Sequence, residues 1–165
     1  MGYQFNWSVV FNLHEWLSAA LVTCYYAFGT TIAGLLIGVM VGVALIARRA
    51  WIWLPARCYV GFFRCTPLLV QIVWFYYALP ILSGLTISAW AASGLGMSLY
   101  MGAFSAEIFR GGIVSIERGQ CDAARALGLN HVRLMRLVIL PQAARRMLRP
   151  VANQCILQLK NTSLL

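Results

Sequence analysis

Two stretches of this 165-residue chain carry no charged side chain. Thirty-two residues separate Glu15 from Arg48, and forty-two separate Arg64 from Glu107. A helix crossing the hydrocarbon of a bilayer needs about 20 apolar residues, so the first stretch holds one long span. The second holds two, divided where Pro80, Ser83 and Gly84 interrupt it. Composition closes off the alternatives. With 61% hydrophobic and 10% charged residues, where about a quarter charged is usual, too few polar side chains remain to cover a soluble globule. Disorder is excluded by the same arithmetic. The chain reads as an all-α membrane protein, a polytopic helical bundle.

The spans fall at 16–47, 58–81, 85–106 and 150–165. The last is too short to finish a crossing, so a C-terminally truncated chain is expected. Residues 1–15 mix Tyr3, Phe5, Trp7 and Phe11 with polar neighbours, which suits the headgroup layer. His14 beside Glu15 reads as an interfacial pair, since a metal site needs more donors. The five cysteines are scattered without a C-x-x-C spacing, so they indicate neither zinc nor a disulfide framework.

Thirteen basic residues against four acidic ones give +9. Their placement reads as topology and not as nucleic-acid binding. Arg48, Arg49, Arg57 and Arg64 lie between spans one and two; eight arginines from Arg110 to Arg149 lie between spans three and four. The positive-inside rule then puts both arginine-rich segments in the cytoplasm and the N-terminus outside. Within the first span, Gly34, Gly38 and Gly42 recur every fourth residue. Such a small-residue stripe lets another helix approach closely, a partner subunit being one candidate.

The cytoplasmic segment 107–149 reads as two short helices punctuated by Gly111, Gly112 and Gly119. Asp122 to Gly128 has an acid placed for a first turn and a glycine at its end. Asn130 can cap the next helix. Ala123, Ala124 and Ala126 leave the short helix nearly bare, suited to a partner's groove or to packing on its own chain. Glu107 is placed to pair with Arg110 at i+3.

Polar residues also fall inside predicted spans. Lys160 lies about 16 Å along a helix from Arg149 at 1.5 Å per residue, near mid-bilayer, where an ammonium needs a cavity or a partner. Asn153, Gln154, Gln158, Lys160 and Asn161 share one arc of the helix, a wedge fit for a carboxylate or for a hydrogen-bonded strut between helices. Thr66 can cap a helix opening at Pro67, and a helix broken there offers free backbone groups to a solute. Gln71 follows one turn later.

These residues resemble a known family. Asp122-Ala123-Ala124, Gly128, Val138, Leu140 and Pro141 match the spacing of the EAA loop of bacterial ABC-importer permeases, with Asp for Glu and Val for Ile. Arg64-Cys-Thr-Pro-Leu-Leu-Val-Gln71, Glu107-Ile-Phe-Arg-Gly-Gly112 and Leu159-Lys-Asn-Thr-Ser-Leu164 are similar to signatures of the polar amino-acid branch, the histidine, glutamine, arginine and cystine type. Cys65 departs from the usual glycine.

The resemblance implies five spans and a cytoplasmic ABC ATPase dimer that docks at Asp122, Ala123, Ala124 and Gly128. It also implies a second permease, identical or homologous, and a periplasmic or lipid-anchored amino-acid binding protein. It raises Thr66, Leu68, Gln71, Gln154 and Lys160 as substrate contacts. No G-x-x-x-x-G-K-[ST] phosphate loop occurs, so the chain is no ATPase itself; no cofactor is expected in it, ATP and magnesium belonging to the partner. Two other classes remain, a small secondary transporter or channel and a structural membrane subunit. The first predicts charged relays or internal repeats, and neither occurs.

Overall fold

The computed structural model describes residues 13–84 and 86–164; the aromatic lead-in upstream of Leu13 lies outside them. Helix α1 runs over Leu13–Ile46, α2 over Ala50–Cys65 and α3 over Leu68–Val73. A π-helical turn, Trp74–Ala78, joins α3 to α4, Leu79–Ser83. Then come α5 (Ala89–Val114), α6 (Arg118–Ala126) and α7 (His131–Leu134). A second π turn, Met135–Ile139, leads into α8, Leu140–Asn161, and a closing 3-10 turn. No strand occurs among the described residues.

Among the described residues only α1 is by itself long and apolar enough to cross a membrane. The reason lies in α5, the helix on which α1, α2, α3 and α8 all pack. Its side chains Ala92, Met97, Met101, Ala103 and Ala106 are buried within the protein. A helix covered by other helices can carry Gly, Ala and Ser, because close approach contributes more there than bulk hydrophobicity.

The Gly34–Gly38–Gly42 stripe meets α5 of its own chain, not a partner subunit. A Cβ at Gly38 would strike that of Ser105, and one at Gly42 would lie 3.0 Å from the Ala106 carbonyl. The close helix approach expected from the spacing is present, and of the candidates it left open the approaching helix is α5: the stripe closes the chain's own core. Gly34 faces Met101 and Gly42 faces Phe109, so α1 and α5 run parallel. Gly112 meets Met147 while Gln158 bonds to the Met97 carbonyl, so α8 is antiparallel to α5. This is the alternation that spans one, three and four require.

Hydrogen bonds reinforce the hub. The Tyr26 hydroxyl reaches Ser93 at 2.6 Å and the Trp90 carbonyl at 2.7 Å. That of Tyr59 donates to the Leu99 carbonyl at 2.6 Å.

Four expectations shift. The span expected over 58–81 opens earlier, at Ala50, while the break expected at Thr66-Pro67 is present and divides it into two helices meeting at 108°. Pro67 bars Thr66 from the helical region, and Thr66 is extended at φ −101°, ψ 130°. Helix α5 continues past Glu107 through Gly111 and Gly112 to Val114, because Gly112 is spent on the approach of Met147. Helix α8 does not open at Pro150 but runs through it; Ala143 and Met147 form its buried stripe while Arg145, Arg146 and Arg149 stay exposed. Helix α6 begins at Arg118, which places Asp122 beyond the first turn.

Candidate functional site

Helix α6 is short, and what holds it is its single buried residue. Ala124, 5% exposed, joins Ile116, Leu134, Ile139, Ala143 and Met147 in one apolar cluster. Its C-terminus closes in a Schellman motif. The Leu129 N–H reaches the Ala124 carbonyl at 3.2 Å, and the Gly128 N–H reaches Arg125 at 2.9 Å. Gly128 sits at φ +76°, where a side chain costs about 1–2 kcal/mol. Asn130 then caps α7 by accepting from the Arg133 N–H at 2.9 Å, as its sequence position predicts. Arg146 donates to the Ser115 carbonyl and hydroxyl, satisfying the C-terminal end of α5.

The expected docking set therefore divides. Ala124 packs on its own chain and is no contact surface. Asp122, Ala123 and Gly128 are exposed, with Asp122 held to Arg125 by a 2.9 Å ion pair. Leu127, 83% exposed at the tip of α6, extends this face. The sequence reading passed over it, although a leucine before a helix-ending glycine is an anchor signal. Gly128→Ala is expected to loosen this turn by about 1–2 kcal/mol, with Gly128→Asn losing less. Faster hydrogen exchange at Gly128 and Leu129 checks this.

The membrane-embedded candidates form two separate groups. At the α2–α3 break, the Gln71 side-chain nitrogen donates to the Phe63 and Thr66 carbonyls at 2.9 and 2.8 Å. The Thr66 hydroxyl donates back to the Phe62 carbonyl at 2.8 Å. Thr66 is thus no helix cap, and these carbonyls of the broken helix are occupied by the chain itself. Leu68 is buried. Thr66 and Gln71 line a cavity of about 530 Å³ walled by Phe62, Phe63, Val70, Trp74, Phe75 and Leu99. Gln71, 3% exposed, leaves its side-chain Oε1 buried with no hydrogen-bond partner among the described residues.

On α8 the polar wedge splits. Gln158, fully buried, donates to the Met97 carbonyl at 3.1 Å and to the Thr30 hydroxyl at 3.4 Å, so the strut between helices is Gln158 and not Lys160. Gln154 is buried beside it, while Asn153 and Lys160 are exposed on the other side of the helix. The Lys160 ammonium has no ion-pair partner among the described residues. No hydrogen bond among them joins the α8 group to the Thr66–Gln71 group.

Glu107 meets its expected partner, Arg110, through Oε2 at 2.8 and 2.9 Å. It also lies 4.0 Å from Arg64, a long-range pair that spacing along one helix could not reveal. The cysteines are free, and no cluster of metal-ligating side chains occurs among the described residues.

Comparison with known proteins fits this architecture. The chain is 38% identical to the octopine transport system permease protein OccM of Rhizobium meliloti, over 97% of its own length and 67% of that protein's. It is 37% identical to the glutamine transport system permease protein GlnP of Escherichia coli K12, over 98% of its length and 74% of that protein's. Among solved structures, an amino acid ABC transporter crystallised with histidines superposes with a TM-score of 0.89. That match has 32% identity and covers 99% of this chain and 76% of that one. A MetNI methionine ABC transporter in an inward-facing conformation, at 22% identity and a TM-score of 0.74, shares the fold. Residues 34–165 match one family profile, and the chain belongs to that family, the inner membrane components of binding-protein-dependent transport systems.

Proposed function

We propose that this chain is the permease subunit of an ATP-driven importer that moves a polar amino acid inward across the bacterial inner membrane. The observation that carries the reading is α6. It is a short helix anchored by one buried alanine, closed by a glycine at positive φ, and exposed along Asp122, Ala123 and Leu127. Such a handle transmits force only if another protein grips it. The gripping partner is a cytoplasmic ABC ATPase dimer, which holds the ATP and magnesium. A second permease, identical or homologous, completes the membrane part, and a periplasmic or lipid-anchored binding protein delivers the solute. Both arginine-rich segments then face the cytoplasm, with the N-terminus outside.

The solute contacts in this reading are Thr66, Leu68, Gln71, Gln154 and Lys160. Lys160 leads them: exposed in the last turn of α8, with no ion pair among the described residues, its ammonium is open to the α-carboxylate of an amino acid. Leu68 and Gln71, both buried, contribute from the break between α2 and α3, and Gln154 from the buried face of α8. The experiment is ATP-dependent uptake of labelled amino acids into vesicles holding the assembled transporter. Lys160→Met is expected to lower uptake at least tenfold, the loss of one charge-assisted contact, with assembly unchanged. Wild-type uptake by this variant would remove Lys160 from the site. Failure of any ATPase to copurify would remove the importer reading itself.

A further inference from the structure

At the arginine-rich end of the bundle, α1, α2 and α5 enclose a cavity of about 710 Å³ that the transport reading does not use. Trp53, Arg57, Arg64, Phe104, Glu107 and Arg110 line it. Three guanidinium groups thus face one carboxylate. Glu107 is already engaged, with Oε2 on Arg110 and Oε1 toward Arg64. Arg57 has no acidic partner among the described residues; its guanidinium carbon lies 5.0 Å over the Trp53 ring. That of Arg64 lies 5.2 Å over Phe104. Each guanidinium offers five N–H donors in a fixed fork, and Glu107 occupies few of them.

We propose that this cavity holds the phosphate of an anionic phospholipid. The local excess is two positive charges on a half-open site, with an arginine pinned on each of two rings and its unused donors left for an anion. Phosphate is the anion that the planar fork matches bidentately. The neighbouring face of α2 explains why the phosphate belongs to a lipid. Leu54, Cys58 and Phe62 recur every fourth residue there and are exposed, a stripe fit for an acyl chain. Indole rings such as Trp53 and the nearly bare Trp51 favour the headgroup layer, and basic pockets between membrane helices at that depth suit anionic headgroups.

The proposal rests on the chain being a membrane subunit, but not on the identity of the solute. The test uses the full-length permease in its assembled transporter, in nanodiscs of phosphatidylcholine with or without phosphatidylglycerol or cardiolipin. Lipid retained after detergent exchange is read by native mass spectrometry. Wild type is expected to keep an anionic lipid that Arg57→Gln loses about tenfold, the equivalent of one charge-assisted hydrogen bond, while Arg57→Lys keeps most of it. Arg57 holds no ion pair among the described residues, so its loss is expected to leave folding intact, and uptake by the same samples reports on the transport reading separately. Three results would overturn the lipid site: no anionic lipid retained by wild type, retention unchanged in Arg57→Gln, or displacement of the lipid by millimolar inorganic phosphate.

Discussion

Gly38→Leu is expected to keep the permease from reaching its folded state. The Cβ alone would collide with that of Ser105, and the rest of the side chain would enter a helix whose facing residues Met101, Gly102 and Ser105 are already buried. Overpacking of a tight interior costs about 1–3 kcal/mol for modest insertions. That range is set against total stabilities of about 5–15 kcal/mol. Gly38→Ala is expected to fall inside it, and Gly38→Leu beyond it because neither helix backbone can retreat without opening Gly34 and Gly42 as well. Gly29, on the same helix with open space around its Cβ position, is the control, and Gly29→Ala should be near neutral. Membrane accumulation and the melting temperature of the purified complex measure all three. Normal folding of Gly38→Leu would mean that α1 does not sit on α5 as described.

The second large effect concerns α6. Ala123→Asp combined with Leu127→Asp should reduce ATP-dependent uptake more than tenfold while the membrane bundle stays folded. Both side chains are exposed, so the chain itself loses little. A docked ATPase would lose the burial of a leucine, worth about 1.5–3 kcal/mol, and meet two uncompensated carboxylates beside Asp122. Pull-down of the ATPase and its solute-stimulated hydrolysis should fall together. If both persist, α6 is not where the motor engages, and the role of the loop has to be found elsewhere. Ala124→Asp is a different experiment, since it would break the cluster around Leu134 and Met147 and unfold the loop from within.

Much of this was legible in the sequence for identifiable reasons. The uncharged run between Glu15 and Arg48 places α1, because charge in hydrocarbon is costly enough to leave a long gap. The caps at Gly128 and Asn130 and the pairing of Glu107 with Arg110 are local, set within four residues. What the sequence concealed is nonlocal. Nothing in a four-residue glycine spacing tells whether the approaching helix belongs to the same chain or to another. The amides Gln71 and Gln158 looked alike as polar residues in apolar runs. Only the fold shows that one staples the broken helix and the other ties α8 to α5 and α1. The division of the α8 wedge is of the same kind: an arc of about 160° is wide enough to straddle a buried side and an open one.

The two π turns share a setting, each followed by Leu and then Pro, at Leu79-Pro80 and Leu140-Pro141. Proline has no N–H for the carbonyl four residues back and crowds it sterically. Here the preceding N–H reaches one residue further, Leu79 to Trp74 and Leu140 to Met135. Each widened turn holds one residue more than an α-helix would, so the helix beyond it is out of phase by about 100° with the helix before it. The continuous-looking segment from His131 to Asn161 is thus written in two reading frames. A scan of substitutions along it should show a periodicity that skips a beat near Val138, and a face assigned among the loop residues cannot be extended to the membrane half by counting.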